Sequence, residues 1–293
     1  MGYSEAIRTV EDLRSNTHLT EEEEFEYIEA LRYLIEETGR TRFMTELGGY
    51  YYEQKQFDLA LKYYEMADLA GDEWAPEGLG YIWYYGRTGE KDYKKAFEYY
   101  SRASENGYIR STIKVADMYK NGYYVDRDFD KYAEIIEGLY EMMMGAEYSK
   151  DPKPEVLTRL AAIRQSQGRI DEAVRLYMDA RDFLAFRIRY NPFFGNLNMM
   201  GWLIRDLYEL VLVDYADLRL FDMYEVLTRP TKVRFMYSRK SHEMEAVEES
   251  DGIAVRLDDK WYRSVEDMFR NAILDGERLA VLEDMLYSIE VVG

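Results

Sequence analysis

Up to about residue 230 the apolar and small residues of this chain recur every three or four positions, and from 231 they alternate. Helices are therefore expected first and strands afterwards. Thr20-Glu-Glu-Glu23 is a capping-box pattern, and Phe25, Ile28, Leu31 and Ile35 behind it form an apolar stripe. The strongest regularity follows it. Ala60 and Ala67 repeat as Ala96 and Ala103, an offset of 36, and each pair encloses a Tyr-Tyr (Tyr63-Tyr64, Tyr99-Tyr100) and is followed by a glycine, Gly71 or Gly107. The same offset carries Leu79, Gly80, Ile82, Trp83 and Gly86 onto Val115, Ala116, Met118, Tyr119 and Gly122, and Asp92 and Tyr93 onto Asp128 and Phe129. One step more gives Tyr132 and Leu139, a degenerate copy.

Small residues seven apart lie two turns apart on one helix face, where a second helix can approach closely. The repeating unit is therefore a helical hairpin, with Gly71 and Gly107 where a helix end needs a left-handed residue. A lone hairpin cannot bury its apolar stripe, so consecutive hairpins must stack. The first helix leads the second by 17 residues from Leu79 to Ala96, but by 13 from Leu47 to Ala60 and from Leu160 to Ala173. Pro76 falls early in a helix, Pro152 and Pro154 mark a joint, and Pro192 and Pro230 bracket a further stretch, with one or two helices expected over 196–227. Beyond it, 232–237 and 253–257 alternate, Asp258-Asp-Lys260 suggests a turn, Ser264 with Asp267 a cap opening a helix over 265–272, and 288–292 a last strand.

The segment Leu79-Gly-Tyr-Ile-Trp-Tyr-Tyr-Gly86, with Asp92, Ala96-Phe-Glu-Tyr-Tyr-Ser-Arg-Ala103 and Gly107, resembles a Sel1-like repeat, and Val115 to Leu139 resembles a second copy with its alanines lost. The shorter hairpin from Leu160 through Gly168 and Ala173 to Ala180 is similar to the related tetratricopeptide repeat. The resemblance covers about residues 46–185. It implies an α-solenoid of stacked helical hairpins; with the alternating stretch after 231, the expected fold class is mainly α with a small C-terminal α+β module. The expected organisation is N-terminal capping helices over 1–45, the solenoid over 46–190, flanking helices over 191–230 and the α+β module over 231–293. The resemblance also implies an interaction scaffold rather than an enzyme.

Composition narrows the chemistry. The 293 residues carry 38 Lys and Arg against 57 Asp and Glu, a net charge of −19, which disfavours nucleic acid and anionic membranes as partners. There is no cysteine, so disulfides and thiolate metal sites are excluded, and with only His18 and His242 a multi-histidine metal site would need carboxylates to complete it. The first residues hold no apolar signal segment, Ala6 stands where myristoylation wants Ser or Thr, and no run approaches membrane-span length; a cytoplasmic protein is the expectation. Asp126 to Glu137 echoes a calcium loop, but Lys131 occupies the turn position that wants glycine, and the repeat places Asp128 onward in a helix with Phe129 in the core. His242-Glu-Met-Glu245 offers a histidine and carboxylates on one strand face; surface residues are the plainer account. Glu21 to Glu24 suits a helix N-terminus. No cofactor, metal or catalytic site is expected.

Tyrosine remains, with 29 copies. Tyr63, Tyr64, Tyr99 and Tyr100 belong to the packing pattern. Tyr52, Tyr81, Tyr84, Tyr85, Tyr123 and Tyr124 fall off it. In stacked hairpins the first helices line the concave side, where Gly49, Tyr81 and Asp117 are equivalent, as are Tyr52, Tyr84, Lys120 and Gln165. A groove mixing tyrosine with polar groups suits protein recognition, because tyrosine adds contact area at low entropic cost. Packing of some of these tyrosines against flanking helices is the alternative. Between 151 and 190 the charge balance turns basic, with arginines at 159, 164, 169, 175, 181, 187 and 189, so a patch about Arg164 is a further candidate surface. The expected function is a non-catalytic adaptor that binds a protein or peptide, a basic one among the candidates, through the concave groove. The alternatives are an acidic immunity protein that neutralises a basic toxin, and an enzyme with its site around His242, Trp261, Tyr262 and Arg263.

Overall fold

The computed structural model describes every residue except 15, 17, 18, 146–152, 251 and 293. Two compact units are formed by residues 1–135 and 136–293.

The first unit is a stack of antiparallel helical hairpins. α1 (Tyr3–Leu13) pairs with α2 (Glu21–Thr38), α3 (Thr41–Glu53) with α4 (Phe57–Leu69), and α5 (Ala75–Tyr85) with α6 (Tyr93–Glu105); α7 (Ile109–Asn121) and the first turns of α8 (Phe129–Met144) follow. The capping box at α2 forms as expected, Thr20 accepting from the Glu23 amide while Glu23 reaches back. The stripe behind it is corrected: α2 buries Tyr27, Ala30, Leu31, Leu34 and Ile35, and Phe25 is 66% exposed. Six residues from Leu31, at about 100° each, Phe25 faces a third of a turn away.

The repeat alanines do what their spacing requires. Ala60, Ala67, Ala96 and Ala103 are fully buried, and Gly71 and Gly107 turn the chain at φ 84° and 86°. Three glycines show how tightly the hairpins close. A Cβ at Gly48 would lie 2.6 Å from the Tyr64 ring, one at Gly78 2.8 Å from the same ring, and one at Gly80 2.6 Å from the Tyr100 ring. Tyr64 thus sits against its own hairpin through Gly48 and against the next through Gly78. Polar ties join successive hairpins as well: Arg102 pairs with Asp68 at 2.5 Å, and the Ser111 hydroxyl donates to Glu77 at 3.0 Å. Asp128 caps α8 through the Lys131 amide at 2.8 Å, so the calcium-loop echo lies in a helix start. Phe129, expected in the core, is instead 39% exposed, and Tyr132 one turn later is buried.

In the second unit α9 (Pro154–Ser166) and α10 (Ile170–Tyr190) form another hairpin, with Pro154 in the first turn of α9; Pro152 lies outside the described residues. α11 (Phe194–Leu210) packs on α10, and only a short α12 (Met223–Val226) follows it. The remaining chain builds an antiparallel sheet in the order β4-β3-β2-β1-β7, from β1 (Thr231–Tyr237), β2 (Lys240–Glu249), β3 (Gly252–Leu257), β4 (Lys260–Tyr262) and β7 (Tyr287–Val292). α13 (Val265–Asn271) opens on Ser264 as expected, and β5 (Ile273–Leu274) pairs with β6 (Glu277–Arg278). α13 seals the module onto α11 and α12: Phe269 stacks on Tyr224 at 4.5 Å, and Arg205 pairs with Glu266. The fold class is therefore a mainly α stack of helical hairpins followed by a small α+β module.

Candidate functional site

The first helices of the hairpins in the first unit, α3, α5 and α7, share one surface that is rich in partly exposed rings. Tyr52 meets Tyr81 edge-on at 6.1 Å, Tyr81 meets Tyr85 at 4.8 Å, Tyr84 meets Tyr85 at 4.9 Å, and Tyr123 reaches Tyr84 at 6.1 Å. These five belong to the expected set, and the helical period brings them together because residues 81, 84 and 85 share a face of α5. Two cations flank Tyr85. The Lys114 ammonium donates to its hydroxyl at 2.8 Å and lies 5.0 Å from its ring centre, and the Arg87 guanidinium lies 5.1 Å from that centre while donating to the Tyr52 hydroxyl at 2.9 Å. Cations over ring faces gain from the ring quadrupole, so the cluster is both aromatic and cation-bearing. Burial pushes the Tyr81 hydroxyl up, as it does that of Tyr84, with Asp117 adding to the latter, so both remain neutral donors at physiological pH.

Of the other expected residues Asp117 stays beside Tyr84, and the rest lie elsewhere. Tyr124 packs on Phe97 of α6 at 5.7 Å, and the Lys120 ammonium sits 5.3 Å from the Tyr132 ring. Arg164 and Gln165 belong to the second unit, where Arg164 pairs with Glu137 and lies 3.7 Å from Glu172. The basic patch expected about Arg164 is corrected. Arg169 pairs with Glu172, Arg187 with Glu155, Arg189 with Asp284, and Arg181 is buried against Asp222 and Glu283. These arginines are consumed inside the unit.

The constellation expected for an enzyme is not assembled. The sheet alternation puts His242, Met244 and Tyr262 toward the interior, and Glu245, Arg256 and Trp261 on the other face. His242 therefore does not share a face with Glu243 and Glu245, which bind Lys232 and Arg256 instead. Its Nδ1 bonds Asp258 at 2.8 Å, and Asp258 also accepts from the Glu243 amide at 3.0 Å, so the dyad pins the β3–β4 turn. His18 lies outside the described residues.

A hollow in the first unit was not expected from the sequence. A cavity of about 640 Å³ opens between α2, α3 and Trp74, with Glu24, Arg42, Glu46, Gly49, Tyr50 and Glu53 among its lining residues. The signal was present, because Gly49 holds the register position of Tyr81, and Glu53 that of Tyr85.

No family model matches the chain, and no curated protein matches it. Similar solved structures include a protective antigen of uropathogenic Escherichia coli strains displaying an SLR fold, 17% identical with a TM-score of 0.45, covering 69% of this chain and 47% of that one. A Sel1 repeat protein from Oxalobacter formigenes is 20% identical with a TM-score of 0.48, covering 65% of this chain and 79% of that one. The chain thus spans about half the length of the first of these.

Proposed function

We propose that this chain is a non-catalytic adaptor that binds a protein or peptide segment across the α3–α5–α7 face of its first unit. The observation that carries the reading is the cluster of Tyr52, Tyr81, Tyr84, Tyr85 and Tyr123 around Lys114 and Arg87, beside an open cavity. Rings already held by one another and by cations lose little freedom on binding, and their hydroxyls serve as donors at the rim. Selection of random peptides displayed against the full chain tests this. Peptides so obtained are expected to bind the Tyr81→Ala/Tyr85→Ala variant at least ten-fold more weakly, at a temperature where circular dichroism shows that the variant, though less stable, is fully folded. Equal binding to that variant and to wild type would remove the tyrosine face from the account.

Charge favours a second reading, an acidic immunity protein that occupies a basic toxin. Residues 1–135 carry 17 Lys and Arg against 28 Asp and Glu, a net −11 in that unit alone. Such a partner would associate with a rate that falls steeply with ionic strength. No helix among the described residues is long and apolar enough to cross a membrane.

A further inference from the structure

The helix-interior glycines of the first unit fall into two kinds. Gly48, Gly78 and Gly80 have a reason in packing, since a Cβ at any of them would strike a tyrosine ring at 2.6–2.8 Å. Gly49 has none. Its backbone is helical, and the nearest atom to an added Cβ is the Tyr64 hydroxyl at 3.7 Å, an ordinary contact distance. Glycine is the poorest helix former after proline, so alanine there would favour α3 at no steric cost. What glycine provides at this position is the empty space above it.

That space is the floor of the 640 Å³ cavity, a volume within the range of ligand-binding sites. Its polar groups are not equivalent. Glu46 is already engaged, accepting two bonds at 2.7 Å from Arg14 and one at 2.8 Å from Tyr27. This network stiffens one wall. Arg42 lays its guanidinium on Phe43, 4.4 Å from the ring centre. Glu53 is exposed and makes no ion pair among the described residues, and Glu24 lies beside Tyr50, whose hydroxyl it helps to push up in pKa. Trp74, 38% exposed, adds an open ring face. Two carboxylates that make no ion pair among the described residues, two aromatic walls and an open floor define the chemistry of the guest that fits. It is cationic and flat, since a guanidinium both stacks on a ring and bridges carboxylates, whereas an ammonium does only part of this.

We infer that the Gly49 cavity receives an arginine side chain of a bound partner segment, which pairs with Glu53 and Glu24 and stacks against Trp74 or Tyr50. This inference rests on the reading of the first unit as a segment-binding surface and adds to it a pocket and a residue type.

The test uses the full chain and peptides selected from a random library displayed against it. Affinities are measured for wild type, Gly49→Leu, Glu53→Gln and Tyr81→Ala. The expected peptides share an arginine. Gly49→Leu, which fills the cavity from its floor, is expected to weaken them at least ten-fold, and Glu53→Gln three- to ten-fold with a shallower salt dependence. Replacing the shared arginine by citrulline, neutral and similar in shape, should reproduce the Glu53→Gln loss. Peptides that lack arginine yet are lost on Gly49→Leu would overturn the cationic assignment. Peptides indifferent to both Gly49→Leu and Glu53→Gln would overturn the pocket altogether; if they are lost on Tyr81→Ala, the broader reading of the face survives without it. Failure to select any peptide counts against both. Glu53 is exposed, so Glu53→Gln remains informative if Gly49→Leu disturbs the fold.

Discussion

Gly80→Ala is expected to destabilise the chain by about 2 kcal/mol, even though alanine improves helix propensity by about 1 kcal/mol. The added methyl would lie 2.6 Å from a Tyr100 ring that is fully buried, and the atoms it meets include Cγ, at the root of the ring, at 2.9 Å. The ring cannot swing aside without moving the hairpin. Tyr100→Ile alone is expected to cost about 2 kcal/mol through the space it vacates. The informative variant combines them. Adding 36 to both positions lands on Ala116 and Ile136, a larger residue for glycine and a smaller one for tyrosine. The double variant should therefore cost less than the sum of the singles by 1 kcal/mol or more, a coupling that residues in contact show and distant ones do not. Urea unfolding midpoints of the four proteins measure it; strict additivity would mean that Gly80 and Tyr100 do not determine each other.

The second large effect lies in the other unit and depends on pH. Arg181 is buried with two carboxylates, Asp222 at 3.2 Å and Glu283 at 3.6 Å. Asp222 also accepts the Arg219 amide at 2.7 Å, and Tyr208 stands beside it. One guanidinium cannot neutralise both acids. Burial pushes the Glu283 carboxyl from its ordinary value near 4.5 up to about 7, with Asp222 and Asp182 adding to the rise and Arg181 and Arg219 opposing it. A folded-state pKa above the unfolded one means the native chain holds the proton more tightly between those values. Stability therefore falls as pH rises from about 4.5 to 7, by roughly 3 kcal/mol from this group, and levels off above. Glu283→Gln should flatten that slope and raise the unfolding midpoint at pH 8 while changing little at pH 4.5. A wild-type midpoint flat across pH 5–8, or an unchanged slope in Glu283→Gln, would show that Glu283 ionises freely when folded.

Much of this architecture could be read from the chain because its signals are local and repeated. The glycines at 71 and 107 and the caps at Thr20 and Ser264 each act within one turn, and the alanine pairs span two turns of one helix face and recur, so their meaning survives without tertiary knowledge. What could not be read depended on strain or on shape. The β1–β2 hairpin turns through Ser238 and Arg239 at φ 48° and 66°, where Asn-Gly would have announced it, so the sequence marks only His242–Glu245 of β2 as strand. Phe25 and Phe129 look like core by composition, but helical phase turns Phe25 outward and Tyr132 fills the interior place expected for Phe129. On the candidate surface, the register makes Tyr52 and Tyr84 equivalent positions on successive hairpins, and the rings of Tyr81 and Tyr85 fill in between them. Tyr124 defeats it, because a residue at φ 69° lies past the end of α7 and points toward α6. The cavity at Gly49 is a missing side chain: the register shows the gap against Tyr81, but only the surrounding walls turn that gap into a cavity.

Tyr64, lodged against Gly48 on one side and Gly78 on the other, limits how this array can be edited. A hairpin lifted out with its ring would need a glycine waiting on whatever follows it, and a hairpin inserted after it would have to supply that notch. At this junction the modules are not interchangeable bricks: the hairpin of Tyr64 is cut to its successor, so lengthening or shortening the stack here requires moving ring and notch together, rather than a hairpin.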